Sequence, residues 1–149
     1  MRAVVQRVSQ ASVSVNGIEV SAIKRGILIL AAVGKGDTEQ DAESLARKLA
    51  ALRIFEDEAG RMNLDLRQVK GEALVVSQFT LFGDCRKGNR PSFEAAELPV
   101  QALALFDKLV AAIAAEGIPV CTGQFRAQMQ VSLINEGPVT ILVDSRKQF

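Results

Sequence analysis

Ser77 and Thr80 lie in the string Ser77-Gln78-Phe79-Thr80-Leu81, which ends an apolar run. Polar residues in that position can point out of a sheet into a cleft. A hydroxyl becomes a nucleophile only beside a base. The chain has no histidine, so Ser-His-Asp and Cys-His sites are excluded within it. Histidine-containing zinc sites are excluded too, and two cysteines, Cys85 and Cys121, cannot form a thiolate cage. No metal or cofactor is expected. Hydrolysis would have to use another base, a group on the substrate, or electrostatics alone. Backbone N–H groups of this segment could form an oxyanion hole, which leaves no trace in side-chain identity. The string also reads as a half-buried strand with Ser77 and Thr80 on its wet side.

Three further features bear on chemistry. Asn135-Glu136-Gly137-Pro138-Val139-Thr140 interrupts an apolar tail. It reads as a plain turn, because Gly and Pro punctuate strands everywhere. Arg86-Lys87-Gly88-Asn89-Arg90 is a basic loop, either solvated or a grip for phosphates. Arg7 stands among apolar neighbours, where it either snorkels or holds something in place.

The elements that must position these residues follow from periodicity. Ala11, Val13 and Val15 alternate with Ser12, Ser14 and Asn16, as in a strand. Asn16-Gly17 marks a two-residue hairpin, with Ile18 to Ile23 returning. Gly26 to Val33 reads as a buried strand. Asp37 or Thr38 caps a helix over about residues 39–52, with Ala42, Leu45, Leu49 and Leu52 on its apolar stripe and Glu43 paired to Arg47. Leu74 to Phe79 is another strand. A second helix spans about residues 99–116, with Leu103, Phe106, Val110 and Ile113 inward and Gly117 and Pro119 stopping it. The tail alternates from Ala127 to Leu133, breaks at Gly137-Pro138, and resumes over Val139 to Val143.

Roughly eight strands and two helices result. Two helices cannot cover both faces of a long parallel sheet, so the expected fold is α+β, with a largely antiparallel, barrel-like sheet. A chain of 149 residues fits one domain over 1–149. Its 48% hydrophobic and 23% charged residues are ordinary for a globular protein. A net charge of +1 argues against coating a duplex nucleic acid, though not against gripping one RNA end. The opening lacks a secretory apolar region, and no apolar run approaches a membrane span, so a cytoplasmic protein with no membrane partner is expected.

SQFTL at 77–81 and NEGPVT at 135–140, in this order and spacing, resemble the two motifs of the D-aminoacyl-tRNA deacylase family. The opening RAVVQRVSQASVSVNG, the Gly60-Arg61-Met62-Asn63 turn and the loop RKGNRPSF at 86–93 resemble that family as well. The resemblance implies a hydrolase acting on the aminoacylated 3′ end of tRNA. It implies a homodimer with the active site at the subunit interface. Gly137-Pro138 would be cis and would enter the partner's pocket, lined by Ser77, Gln78, Phe79 and Thr80. Arg7 would fix the orientation of Gly137-Pro138, Met129 would pack near the pocket, and Arg86, Lys87 and Arg90 would contact RNA. Two rivals are a non-catalytic module binding the aminoacylated RNA end, and a structural homo-oligomer.

Overall fold

The computed structural model describes residues 1–149. Strand β1 (Arg2–Val15) turns through Asn16 and Gly17, both at positive φ (51° and 75°), into β2 (Ile18–Ile23). This is the backbone that a two-residue hairpin needs for its twist to match the strands. Then follow β3 (Gly26–Ala32), α1 (Glu39–Ala50), a small hairpin of β4 (Phe55–Glu56) and β5 (Met62–Leu64), and β6 (Glu72–Ser77). A short 3-10 turn (Phe79–Phe82), α2 (Pro99–Ala115), β7 (Val120–Thr122) and β8 (Met129–Asp144) complete the chain.

Six strands form one sheet, in the order β2-β1-β3-β6-β7, with β8 on the other edge of β1. All three pairings of β1 are antiparallel, while β3–β6 and β6–β7 are parallel. The sheet is therefore mixed. Parallel neighbours need a long crossover, and α1 and α2 lie in the two crossovers. The continuous apolar runs of β3 and β6 fit strands buried on both faces.

The two faces serve two cores. Ile27, Ile29, Ala73 and Val75 pack under the helices with Leu45, Leu49, Leu109 and Ile113. Leu28, Leu74 and Val76 face the other way, against Val8, Val13 and Ile23. Strand β1 serves both cores, since Ala3 and Val5 belong to the first, and Val8, Ala11 and Val13 to the second. Register shifts against β8 between Gln6 and Val8 and between Val8 and Gln10 accompany this change of face. The curling sheet is nearly closed, giving the barrel-like shape.

Of the two candidate caps for α1, Thr38 is the one used, in a reciprocal capping box with Asp41. Several other local expectations change. Glu43 pairs with Lys108 of α2 rather than with Arg47. Helix α2 buries Leu105, Phe106, Leu109 and Ile113, while Leu103 is exposed and Val110 half-buried. That helix is apolar almost all round, so periodicity alone cannot choose its inner face. Strand β6 ends at Ser77, and Phe79 belongs to the 3-10 turn. No helix is long and apolar enough to cross a membrane.

Candidate active site

Where β6 ends, a cavity of about 620 Å³ opens between β3, β6, β8 and the start of α2. Its size is that of a small-molecule site. Ser77, Gln78 and Phe79 line it, as does Met129, beside Val131. The wall is mainly apolar, and its only charged members are Glu97 and Arg126. Phe79 is 57% exposed and meets Phe93 edge-on, with ring centroids 5.1 Å apart. Both rings belong to the cavity wall, so an aromatic pair stands at its open edge.

Thr80 is not part of the wall, and its hydroxyl accepts a hydrogen bond from the Gln78 side-chain amide. A neutral amide is far too weakly basic to take a proton from that hydroxyl, and here it donates to the hydroxyl rather than accepting from it. The Gln78 N–H is spent on the Ala31 carbonyl at 2.8 Å. Phe79 and Thr80 follow in the first turn of the 3-10 segment, where N–H groups find no partner within the helix itself. Two amides next to an apolar cavity can stabilise a developing oxyanion.

Gly137 and Pro138 lie elsewhere in the same chain. Gln6 pairs with Thr140 and Val8 with Asn135, so residues 136–139 bulge out opposite Arg7 alone. Neither Gly137, Pro138 nor Arg7 contributes to the cavity. The Gly137-Pro138 peptide bond is cis, and both residues are exposed. Gly137 has φ +126°, and a Cβ there would stand 2.7 Å from Arg7 Nη2 and 2.9 Å from Val139 Cγ2. Only glycine fits.

Arg7 is only 5% exposed and does not snorkel. Its Nε donates to the Glu136 carbonyl at 3.0 Å, and its Nη1 to the Ile54 carbonyl at 2.7 Å. The Glu56 and Glu136 carboxylates stand 3.9 Å away. Asn135 braces the bulge from the other side. Its Oδ1 accepts from the Val139 N–H at 2.8 Å, and its Nδ2 donates to Gln6 Oε1 and Thr140 Oγ1 at 2.9 and 3.1 Å. The bulge is thus held rigidly with its tip in solvent.

In the basic loop, Arg86 makes a two-pronged ion pair with Asp84, at 2.9 and 2.7 Å. That hydrogen bonding holds the Asp84 carboxyl well below the usual carboxylate range. Lys87 and Arg90 are exposed and outside any ion pair. They are the free cations of the loop.

Ser77, Gln78, Phe79 and Met129 are thus brought together, while Arg7, Gly137 and Pro138 form a separate unit. Sequence reading missed Phe93, Glu97, Phe125 and Arg126 as wall residues, and missed Asn135 as a brace. The wall residues come from distant segments and carry no local pattern. Asn135 was visible only as part of a turn string.

The chain is similar to known proteins over nearly its whole length. Residues 4–144 match the family described as D-Tyr-tRNA(Tyr) deacylase. A protein of Thermotoga petrophila named D-aminoacyl-tRNA deacylase is 58% identical over 149 residues, covering all of both chains. One of Geobacter sulfurreducens with the same name is 55% identical, covering 99% of this chain and 97% of its own. Among solved structures, a "c-Myc DNA Unwinding Element Binding Protein" is 40% identical, with TM-score 0.91, covering 97% of this chain and 98% of that one. A probable eukaryotic D-amino acid tRNA deacylase, 20% identical with TM-score 0.79 over 96% of this chain and 98% of that one, shares the fold. With the family match spanning nearly the whole chain, and full-length relatives above half identity, the chain belongs to the D-Tyr-tRNA(Tyr) deacylase family.

Proposed function

We propose that the protein hydrolyses the ester joining a D-amino acid to the 3′ end of tRNA, working in the cytoplasm as a homodimer. The observation that carries this reading is the separation just described. One chain holds an apolar cavity without a stereochemical probe, and a rigid, exposed Gly-Pro bulge without a cavity. A second copy supplies what each lacks. Strand β8 pairs only with β1, so its outer edge is open to another chain, and Ile134 and Leu142 are exposed along it.

In this scheme the Gly137-Pro138 carbonyls of one protomer accept hydrogen bonds from the substrate's α-amino group in the other's cavity. With the amino group and ester carbonyl fixed, two positions remain on the α-carbon. A D-residue presents its hydrogen to the protein and its side chain outward. An L-residue reverses them, and its side chain collides with backbone. Selectivity arises from a clash with the wrong substrate, so many D side chains are accepted. Glycine has no side chain to collide, so glycyl-tRNA is cleaved as well. A protein that clears D-aminoacyl-tRNA and leaves glycyl-tRNA wholly intact would contradict this scheme.

Catalysis asks little of side chains. The Phe79 and Thr80 amides stabilise the tetrahedral oxyanion, each such donor being worth about 10²–10³ in rate. The terminal ribose hydroxyl beside the ester helps activate water, since the chain has no histidine to do so. Lys87 and Arg90, with Arg86 where Asp84 releases it, contact the RNA backbone.

The test is release of amino acid from matched D- and L-tyrosyl-tRNA by the purified protein. Rapid release from the D form alone is expected. Release from both would leave an esterase without chirality. Release from neither, with protein folded and tRNA intact, would favour a non-catalytic module that binds the aminoacylated end.

A further inference from the structure

We propose that Arg126 is a positioning residue that takes the phosphodiester on the 5′ side of the substrate's terminal nucleoside; this rests on the deacylase reading above. Arg126 is exposed and makes no ion pair or side-chain hydrogen bond within the chain. It nevertheless belongs to the wall of the cavity that holds Ser77, Gln78 and Phe79. Its neighbours on either side, Phe125 and Ala127, are wall residues too. Phe125 packs on Phe106 of α2 with ring centroids 6.0 Å apart, so the segment is anchored to the helix core.

The backbone at Arg126 is left-handed, with φ +62°. That conformation is uncommon for a residue with a long side chain, and it persists where the surroundings hold it. Here the Ala127 N–H closes the turn onto the Gln124 carbonyl at 3.2 Å. Of the four non-glycine residues at positive φ, Arg126 alone lines the cavity. The other charged wall residue, Glu97, receives the Leu98 N–H on its Oε1 at 2.8 Å and does not neutralise Arg126. The wall of an apolar chamber thus includes a residue whose planar, permanently charged fork is unpaired.

An aminoacyl ester of a terminal ribose brings no negative charge of its own. The nearest anion is the phosphodiester joining that ribose to the preceding nucleotide. Guanidinium geometry matches a phosphate with two parallel hydrogen bonds. Such a contact would set the depth at which the ester enters the cavity, independently of the amino acid and of the base.

Steady-state kinetics on two substrates decides the matter, D-tyrosyl-tRNA and D-tyrosyl-adenosine, the second carrying the ester but no phosphate. Arg126→Gln is expected to lower kcat/KM on D-tyrosyl-tRNA at least about tenfold, the low end for the loss of one charge-assisted hydrogen bond. The salt dependence of kcat/KM should become shallower by about one unit of slope. Activity on D-tyrosyl-adenosine should be unchanged, and Arg126→Lys, which keeps the charge but not the fork, should recover only part of the activity on tRNA. Equal losses on both substrates would overturn the proposal, placing Arg126 at the amino acid or in the shape of its loop. No loss on tRNA would overturn it too. If the wild-type protein cleaves neither substrate, the deacylase reading fails. Weaker binding of an uncharged ACCA oligonucleotide by Arg126→Gln would then still support the phosphate contact, and equal binding would reject it.

Discussion

Replacing Arg7 by alanine removes two charge-assisted hydrogen bonds from a nearly solvent-free guanidinium, one to Glu136 and one to Ile54. Hydrogen bonds to charged groups contribute about 1.5–3 kcal/mol each, so the loss is about 3–6 kcal/mol. The ion pairs at 3.9 Å to the half-exposed Glu56 and Glu136 carboxylates add little. A domain of this size loses about 2–4 °C of melting temperature per kcal/mol, so a drop on the order of 10 °C or more is expected. Total stabilities run about 5–15 kcal/mol, so a folded population remains for assay at 25 °C unless the wild type lies at the lower end of that range. The functional effect should be larger than the structural one, because the Glu136 carbonyl adjoins Gly137. A displacement of about 1 Å in a positioning group can cost about a hundredfold in rate, and kcat/KM for D-tyrosyl-tRNA should fall at least that far. Arg7→Lys, a point charge that cannot serve both carbonyls, should recover only part of either quantity. Thermal melting with kinetics on the same preparations checks both. An Arg7→Ala protein that melts lower but keeps wild-type kcat/KM would refute the idea that Arg7 aims the bulge. One that melts like the wild type would refute the energetic reasoning.

Thr80→Ala should retain activity within about tenfold, since the hydroxyl lies outside the cavity wall and only receives the Gln78 amide. Complete loss in a folded protein that still binds substrate would identify a nucleophile, whereas a substrate lacking the terminal ribose hydroxyl beside the ester should react far more slowly. Acid sensitivity should centre partly on Asp41. Burial pulls its carboxyl up, but hydrogen bonds from Ser145 and Thr38 outweigh this and leave it below the ordinary 3.8. A lowered folded value means stability that is present above the unfolded value and lost as pH falls through the folded one. Melting temperature should therefore decline below about pH 4, and Asp41→Asn should flatten that decline while melting lower at neutral pH.

The sequence was most legible where chemistry is local. Asn16-Gly17 can be read as a hairpin because few residue pairs tolerate two positive φ values. Thr38 is one of two adjacent candidate caps that mark the start of α1, and Pro99 and Gly117 bound α2. Pairing was less legible. Strand β7 is three residues of mixed polarity, Val120–Thr122, with no run to detect. The parallel order of β3, β6 and β7 depends on crossovers that no short window contains. Two readings of Arg7 were open, and burial against the Ile54 and Glu136 carbonyls chose between them. Of the candidate site, the half on one continuous segment, Ser77 to Phe79, was visible as a motif. Glu97, Phe125 and Arg126 were not, because only the fold brings them to that segment.

The central claim is that one protomer's cavity works with the other protomer's Gly-Pro bulge, and subunit mixing tests it directly. Ser77→Phe should block the cavity, and Gly137→Val should spoil the bulge, leaving each variant inactive alone. Unfolded and refolded together in equal amounts, half the dimers carry one of each. In those dimers one site has both defects and the other has neither. The account predicts recovery of about a quarter of wild-type activity on D-tyrosyl-tRNA from two inactive proteins. No recovery, with mixed dimers demonstrably formed, would mean that each chain builds its site alone.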